Sequence, residues 1–165
     1  MLLPLEEYMK KVRDSVGSEG VIIRFANGHM LKIKSEQYVR IHKTKDRIRT
    51  ERHVVEIILN EEVDDLIGLL DEGDLATVLG VEERFWKAFN AKNDALLDLR
   101  NRVHNMDKKT FALEVVPTLE HKEDARFIFA MFDGKTLRPL LLAHALASVS
   151  KTDKYDRMKE WMGME

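Results

Sequence analysis

The 165-residue chain has no cysteine, which excludes disulfides and thiolate metal sites and suits a reducing cytosol. It has no apolar run approaching the roughly 20 residues that span a bilayer. The opening Met1-Leu2-Leu3-Pro4-Leu5 is too short for a signal peptide, and acids follow at Glu6 and Glu7. Six histidines are scattered without a His-Glu-x-x-His pair or another zinc spacing. No serine sits in a Gly-x-Ser-x-Gly elbow. Gly17-Ser18-Glu19-Gly20 lacks the lysine and helix of a phosphate loop. No internal repeat, low-complexity tract or flexible linker stands out. The expectation is a soluble, cytoplasmic protein with no membrane partner, built as one packed domain with room for a small appendage.

Hydrophobic residues make up 44% of the chain, ample for a core, and charged residues 34%. Net charge is only −2, but it is unevenly spread. From Lys32 to Arg52 there are eight Lys or Arg against three acids, whereas Glu61 to Glu83 holds nine acids and no Lys or Arg. Such asymmetry implies either a local positive field suited to RNA or a solvated helix face laced with salt bridges.

Residues 19–26 and 29–34 are rich in Val, Ile and Phe and read as two strands around Asn27-Gly28, the dipeptide favoured in two-residue type I′ hairpins. Lys32 and Lys34 fall on one face of the second strand, with Leu31 and Ile33 on the other. Two amines held on one face make sense beneath a polyanion. A lysine face also occurs on solvated sheets, where it deters edge pairing.

Helical spacing dominates elsewhere. Leu2, Leu5, Met9 and Val12 mark a helix over residues 2–15, with Gly17 to stop it. Ser35 is placed to N-cap a helix bearing Tyr38, Val39, Ile41 and His42. Short helices follow over 51–60 and 62–71, then a long one over about 75–105, where Phe85, Trp86 and Phe89 keep core spacing. Asp107 is placed to cap a helix running through Val116 to Pro117. Further helices are expected over 122–132, 136–149 and about 153–162. His104 and His144 suit packing or capping; His42 suits RNA contact or plain exposure.

The run Lys32-Ile33-Lys34-Ser35-Glu36-Gln37-Tyr38-Val39-Arg40-Ile41-His42-Lys43-Thr44-Lys45-Asp46, preceded by Glu19-Gly20, resembles the last nucleotidyltransferase motifs of the RNA ligases of T-even bacteriophages, which repair cleaved tRNA anticodon loops. Asp107-Lys108-Lys109-Thr110-Phe111-Ala112-Leu113-Glu114 is similar to a segment of that family's C-terminal helical domain. The resemblance implies a mainly α fold. Residues 1–46 would be a small β-hairpin remnant of the nucleotidyltransferase domain, and 47–165 an all-helical C-terminal domain. It implies an ATP-dependent enzyme that joins RNA 5′-phosphate and 3′-hydroxyl ends through enzyme–AMP and RNA-adenylate intermediates, with ATP and Mg²⁺ as cofactors. Glu19 would serve catalysis and the metal, Lys32 and Lys34 would contact the ATP α-phosphate, and Tyr38 would assist sealing. For a phage-encoded chain the location would be the bacterial host cytoplasm.

The family's nucleophile is the lysine of a Lys-x-Asp-Gly motif, and no such tetrapeptide occurs here; Phe132-Asp133-Gly134-Lys135 has the order reversed. Only eighteen residues precede Glu19, so the expectation is a C-terminal ligase portion, inactive alone in self-adenylylation, whose partner is an N-terminal half carrying that lysine. Asp64-Asp65 matches an acidic pair in the family, which makes Asp64 a candidate metal ligand; acids in a first helical turn also complement the helix dipole. The rival functions are a non-catalytic RNA-binding helical module and an inactive ligase fragment.

Overall fold

The computed structural model describes residues 4–165, and the Leu2 end of the expected first helix lies outside them. The fold is mainly α with a small two-stranded antiparallel hairpin. Helix α1 (Leu5–Arg13) leads into strands β1 (Gly20–Arg24) and β2 (Met30–Lys34), and then into α2 (Glu36–Ile48). The hairpin alternates as its sequence demands. Val21 pairs with Ile33 and Ile23 with Leu31 on the face packed toward α1, while Lys32 lies opposite Ile22 and Lys34 opposite Gly20 on the open face. Val12 and Ile33 are buried there, outside the main core.

The tip differs from the expected two-residue turn. The Phe25 N–H donates to the His29 carbonyl at 2.9 Å and the Gly28 N–H to the Phe25 carbonyl at 3.0 Å, so three residues, Ala26-Asn27-Gly28, turn the chain. Only Gly28 takes a positive φ, of 87°, and the Asn27 side chain accepts from the His29 N–H at 3.1 Å. The reason is register. A two-residue loop would shift the pairing by one and set Val21 and Ile23 opposite the lysines, separating the apolar residues of the two strands. One extra loop residue, closed by a left-handed glycine, keeps them together.

The helical body comprises α3 (Glu51–Leu59), α4 (Val63–Leu66), α5 (Glu72–Arg102), α6 (Lys108–Thr110), α7 (Asp124–Phe132), α8 (Leu137–Ser148) and α9 (Thr152–Met162). Val54, Val55, Ile57 and Ile58 of α3 are buried in one cluster with Phe85 and Phe89 of α5, Leu141 and Ala145 of α8, and Met158 of α9. Burying each large side chain is worth about 1.5–3 kcal/mol. Glu51 accepts from Tyr155 Oη at 2.6 Å and pairs with Lys159 and Arg84, tying α3 to α9 and α5.

Two expected helices are reshaped. The 62–71 helix is confined to α4, because the Asp71 carboxylate caps the Asp74 N–H at 2.8 Å and starts α5 at Glu72. The Asp107 cap holds, accepting from Thr110 N at 2.7 Å, but after α6 the chain widens into a π-helical turn over Phe111–Val115 and tightens into a 3₁₀ turn over Val116–Thr118. Pro117 supplies no N–H to the turn before it, so a regular helix cannot run on. No helix of the described residues is long and apolar enough to cross a membrane.

Candidate functional site

Glu19 stands at the mouth of the hairpin, fixed through its backbone. The Ser35 N–H donates to the Glu19 carbonyl at 3.1 Å. The fully buried Ser35 hydroxyl donates to the Ser18 carbonyl at 2.5 Å and accepts from the Tyr38 N–H at 3.2 Å. One residue therefore ends β2, caps α2 and ties down the strand that precedes Glu19. Gln37 adds a second tie by accepting from the Gly17 N–H at 2.8 Å.

Gly20 is required beside it. Its φ is 134°, and a Cβ built there would stand 2.0 Å from the Ile33 carbonyl oxygen and 2.8 Å from the Lys34 Cα. Only glycine lets β1 start this close to β2.

Glu19, Lys32 and Tyr38 line one hollow of about 370 Å³, walled by Gly20, Val21, Ile22 and Ile33. Lys34 does not line it. It lines a second hollow, of about 520 Å³, with Arg13, Glu36, Val39, Arg40 and Lys43. The two hollows meet at the first turn of α2: the Lys34 ammonium lies 5.8 Å from the Tyr38 ring centre, and Tyr38 packs 4.3 Å from the His42 ring. Of the four site residues expected at the hairpin, Glu19, Lys32 and Tyr38 thus share one hollow, whereas the amines of Lys32 and Lys34 do not line a common one. Asp64 lies elsewhere, exposed in the first turn of α4 with Asp65. No group of three or more His, Asp or Glu among the described residues is arranged to hold a metal ion.

The donor set of the first hollow fits a phosphate group accompanied by a hard cation. Lys32 supplies a point positive charge, Glu19 a carboxylate and Tyr38 a hydroxyl.

The basic stretch divides in two. Lys45 pairs with Asp71 at 3.3 Å and Asp74 at 3.7 Å, Arg47 with Glu62 at 3.5 Å, and Arg49 with Asp46 at 3.5 Å. The Asp74 N–H and then the Lys45 ammonium hold the Asp71 carboxyl below the usual carboxylate range. Arg52 donates to the Val149 carbonyl at 2.6 Å. Lys32, Lys34, Arg40 and Lys43 form no ion pair among the described residues. The positive field expected across Lys32–Arg52 is therefore concentrated in its first half.

Phe85, Trp86 and Phe89 pack edge-on or tilted against one another, with both phenylalanines in the core. His144 packs edge-on against Phe127 and Trp161, where burial and then the Arg126 charge lower its pKa to about 4. Sequence reasoning missed Arg13 and the tie from Ser35 to Ser18. Ser35 was legible as a cap, but its second bond depends on the pairing of the strands and the approach of Arg13 on how α1 packs against them.

No protein-family model matches the chain.

Proposed function

We propose that this chain is the C-terminal part of an ATP-dependent RNA ligase that joins RNA 5′-phosphate and 3′-hydroxyl ends, with ATP and Mg²⁺ as cofactors and a structured RNA such as tRNA as substrate. The observation that carries the reading is the sharing of one hollow by Glu19, Lys32 and Tyr38, three residues that the phage-ligase resemblance assigns to the nucleotide and sealing site. Nucleotidyl transfer depends on positioning and on neutralising charge at phosphorus. In this reading Lys32 would neutralise a phosphate oxygen, Glu19 would hold a divalent ion that offsets phosphate charge, and Tyr38 would border the RNA end. The nucleophilic lysine comes from another segment, because the sequence has no Lys-x-Asp-Gly.

The test is complementation. Mixed with ATP labelled at the α-phosphate, the chain alone should acquire no covalent label. Together with a nucleotidyltransferase segment bearing Lys-x-Asp-Gly, it should seal a nicked anticodon stem-loop, and Lys32→Ala should slow sealing by about 100-fold, the cost of losing one transition-state donor. Sealing at an unchanged rate in Lys32→Ala would overturn the assignment. A second reading, a non-catalytic RNA-binding module, is favoured by the unpaired cations of α2; it expects RNA binding but no sealing with any such complement.

A further inference from the structure

The second hollow is built from three elements. Arg13 comes from the end of α1, Lys34 from the end of β2, and Arg40 and Lys43 from successive turns of α2, with Glu36 as its one carboxylate. Four cations against one acid leave a surplus that no neighbour cancels, since none of the four forms an ion pair among the described residues. Like charges gathered without counter-charges repel one another, and a bound polyanion relieves that cost. The lining holds Val39 but no aromatic ring, so it suits sugar-phosphate rather than bases. Rings lie on the adjacent face of the same helix, where Tyr38 packs against His42.

We propose that this hollow binds the backbone phosphates of a single-stranded RNA whose end is handled at the Glu19–Lys32–Tyr38 hollow, a subsite that rests on the RNA-joining reading above. The strand runs along α2, its phosphates on Arg13, Lys34, Arg40 and Lys43 and a base against Tyr38. Stacking surface beside a cationic groove is the usual arrangement for single strands. Lys34 links the two hollows, because it lines the second while its ammonium stands 5.8 Å from the ring of Tyr38 in the first. A nucleoside triphosphate offers the same phosphate chemistry and a base of its own, but the succession of two hollows joined through Lys34 suits a longer strand.

The test measures binding of a short single-stranded RNA to the full chain by fluorescence anisotropy over a range of salt, with and without a 5′-phosphate on the RNA. In R40A/K43A the slope of log affinity against log salt should become shallower by about 1.4, two phosphate contacts at roughly 0.7 each, and affinity at low salt should fall by about tenfold. The loss should be the same for both RNAs, and the melting temperature should not change; R40Q/K43Q serves if the alanine variant melts early. Unchanged affinity and slope would overturn the subsite, as would a loss confined to ATP or inorganic tripolyphosphate binding, or no RNA binding by the parent chain. Each of those results leaves the Lys32→Ala sealing assay to decide the ligase reading separately.

Discussion

Arg40 and Lys43 lie within a turn or two of Lys45 and Arg47 on the same helix, yet the two pairs have different surroundings. Lys45 and Arg47 lie along the surface of the helical body and meet the acids Asp71, Asp74 and Glu62. Arg40 and Lys43 border the hairpin, where their hollow offers only Glu36. Exposed ion pairs of this kind contribute roughly 0–1 kcal/mol, so their main effect is to cancel charge locally. Three of the acids of 61–83 do not simply lower the net charge; Glu62, Asp71 and Asp74 fold back on Lys45 and Arg47 and offset their charge, while Arg49 pairs within its own helix end with Asp46. What survives as a positive surface is the part of α2 nearest the candidate site.

The strongest challenge to this division is Gly20→Ala. The added Cβ would collide with the Ile33 backbone, and forcing a non-glycine residue into that conformation costs about 3 kcal/mol. Hydrogen exchange should then show the β2 amides opening while the α3 and α5 amides stay protected, separating the hairpin from the anchored body. Equal loss of protection in both would show that the two regions unfold as one. Ser35→Ala comes next. It removes the α2 cap and the tie to Ser18, so a loss of about 1 kcal/mol is expected, seen as a fall of about 3 °C in thermal melting. No change in melting would mean that the buried hydroxyl does not hold the two segments together. The smallest effect belongs to Lys45→Ala, about 0.5 kcal/mol of stability at most, with no change in the salt slope of RNA binding. A shallower slope would show that the paired half also contacts RNA and would erase the contrast.

Much of this was legible in the sequence, for reasons that differ by element. The spacing of Phe85 and Phe89 marked a buried helix face, and Ser35, Asp71 and Asp107 all accept backbone N–H groups as capping residues do. Asp71 is not legible as a cap from sequence, because Leu69 and Leu70 extend the apolar spacing up to it. Both amides instead return to the Leu66 carbonyl in a turn. The Asn27-Gly28 dipeptide pointed to a hairpin but to the wrong turn, since local preference yielded to the pairing of Val21 and Ile23 with Ile33 and Leu31. At the candidate site, Glu19, Lys32 and Tyr38 could be named from their motif. The diversion of Lys34 to a second hollow, and the recruitment of Arg13, could not. Both follow from the packing of α1 on the two strands beside the start of α2, which pairwise spacing does not encode.

The odd length of the hairpin tip carries a consequence of its own. Because Ala26, Asn27 and Gly28 together turn the chain, deleting any one of them restores an even count and inverts which side chains of β1 accompany Lys32 and Lys34. Which side chains share the open face with Lys32 and Lys34 is thus governed by the parity of three residues at the far end of the hairpin.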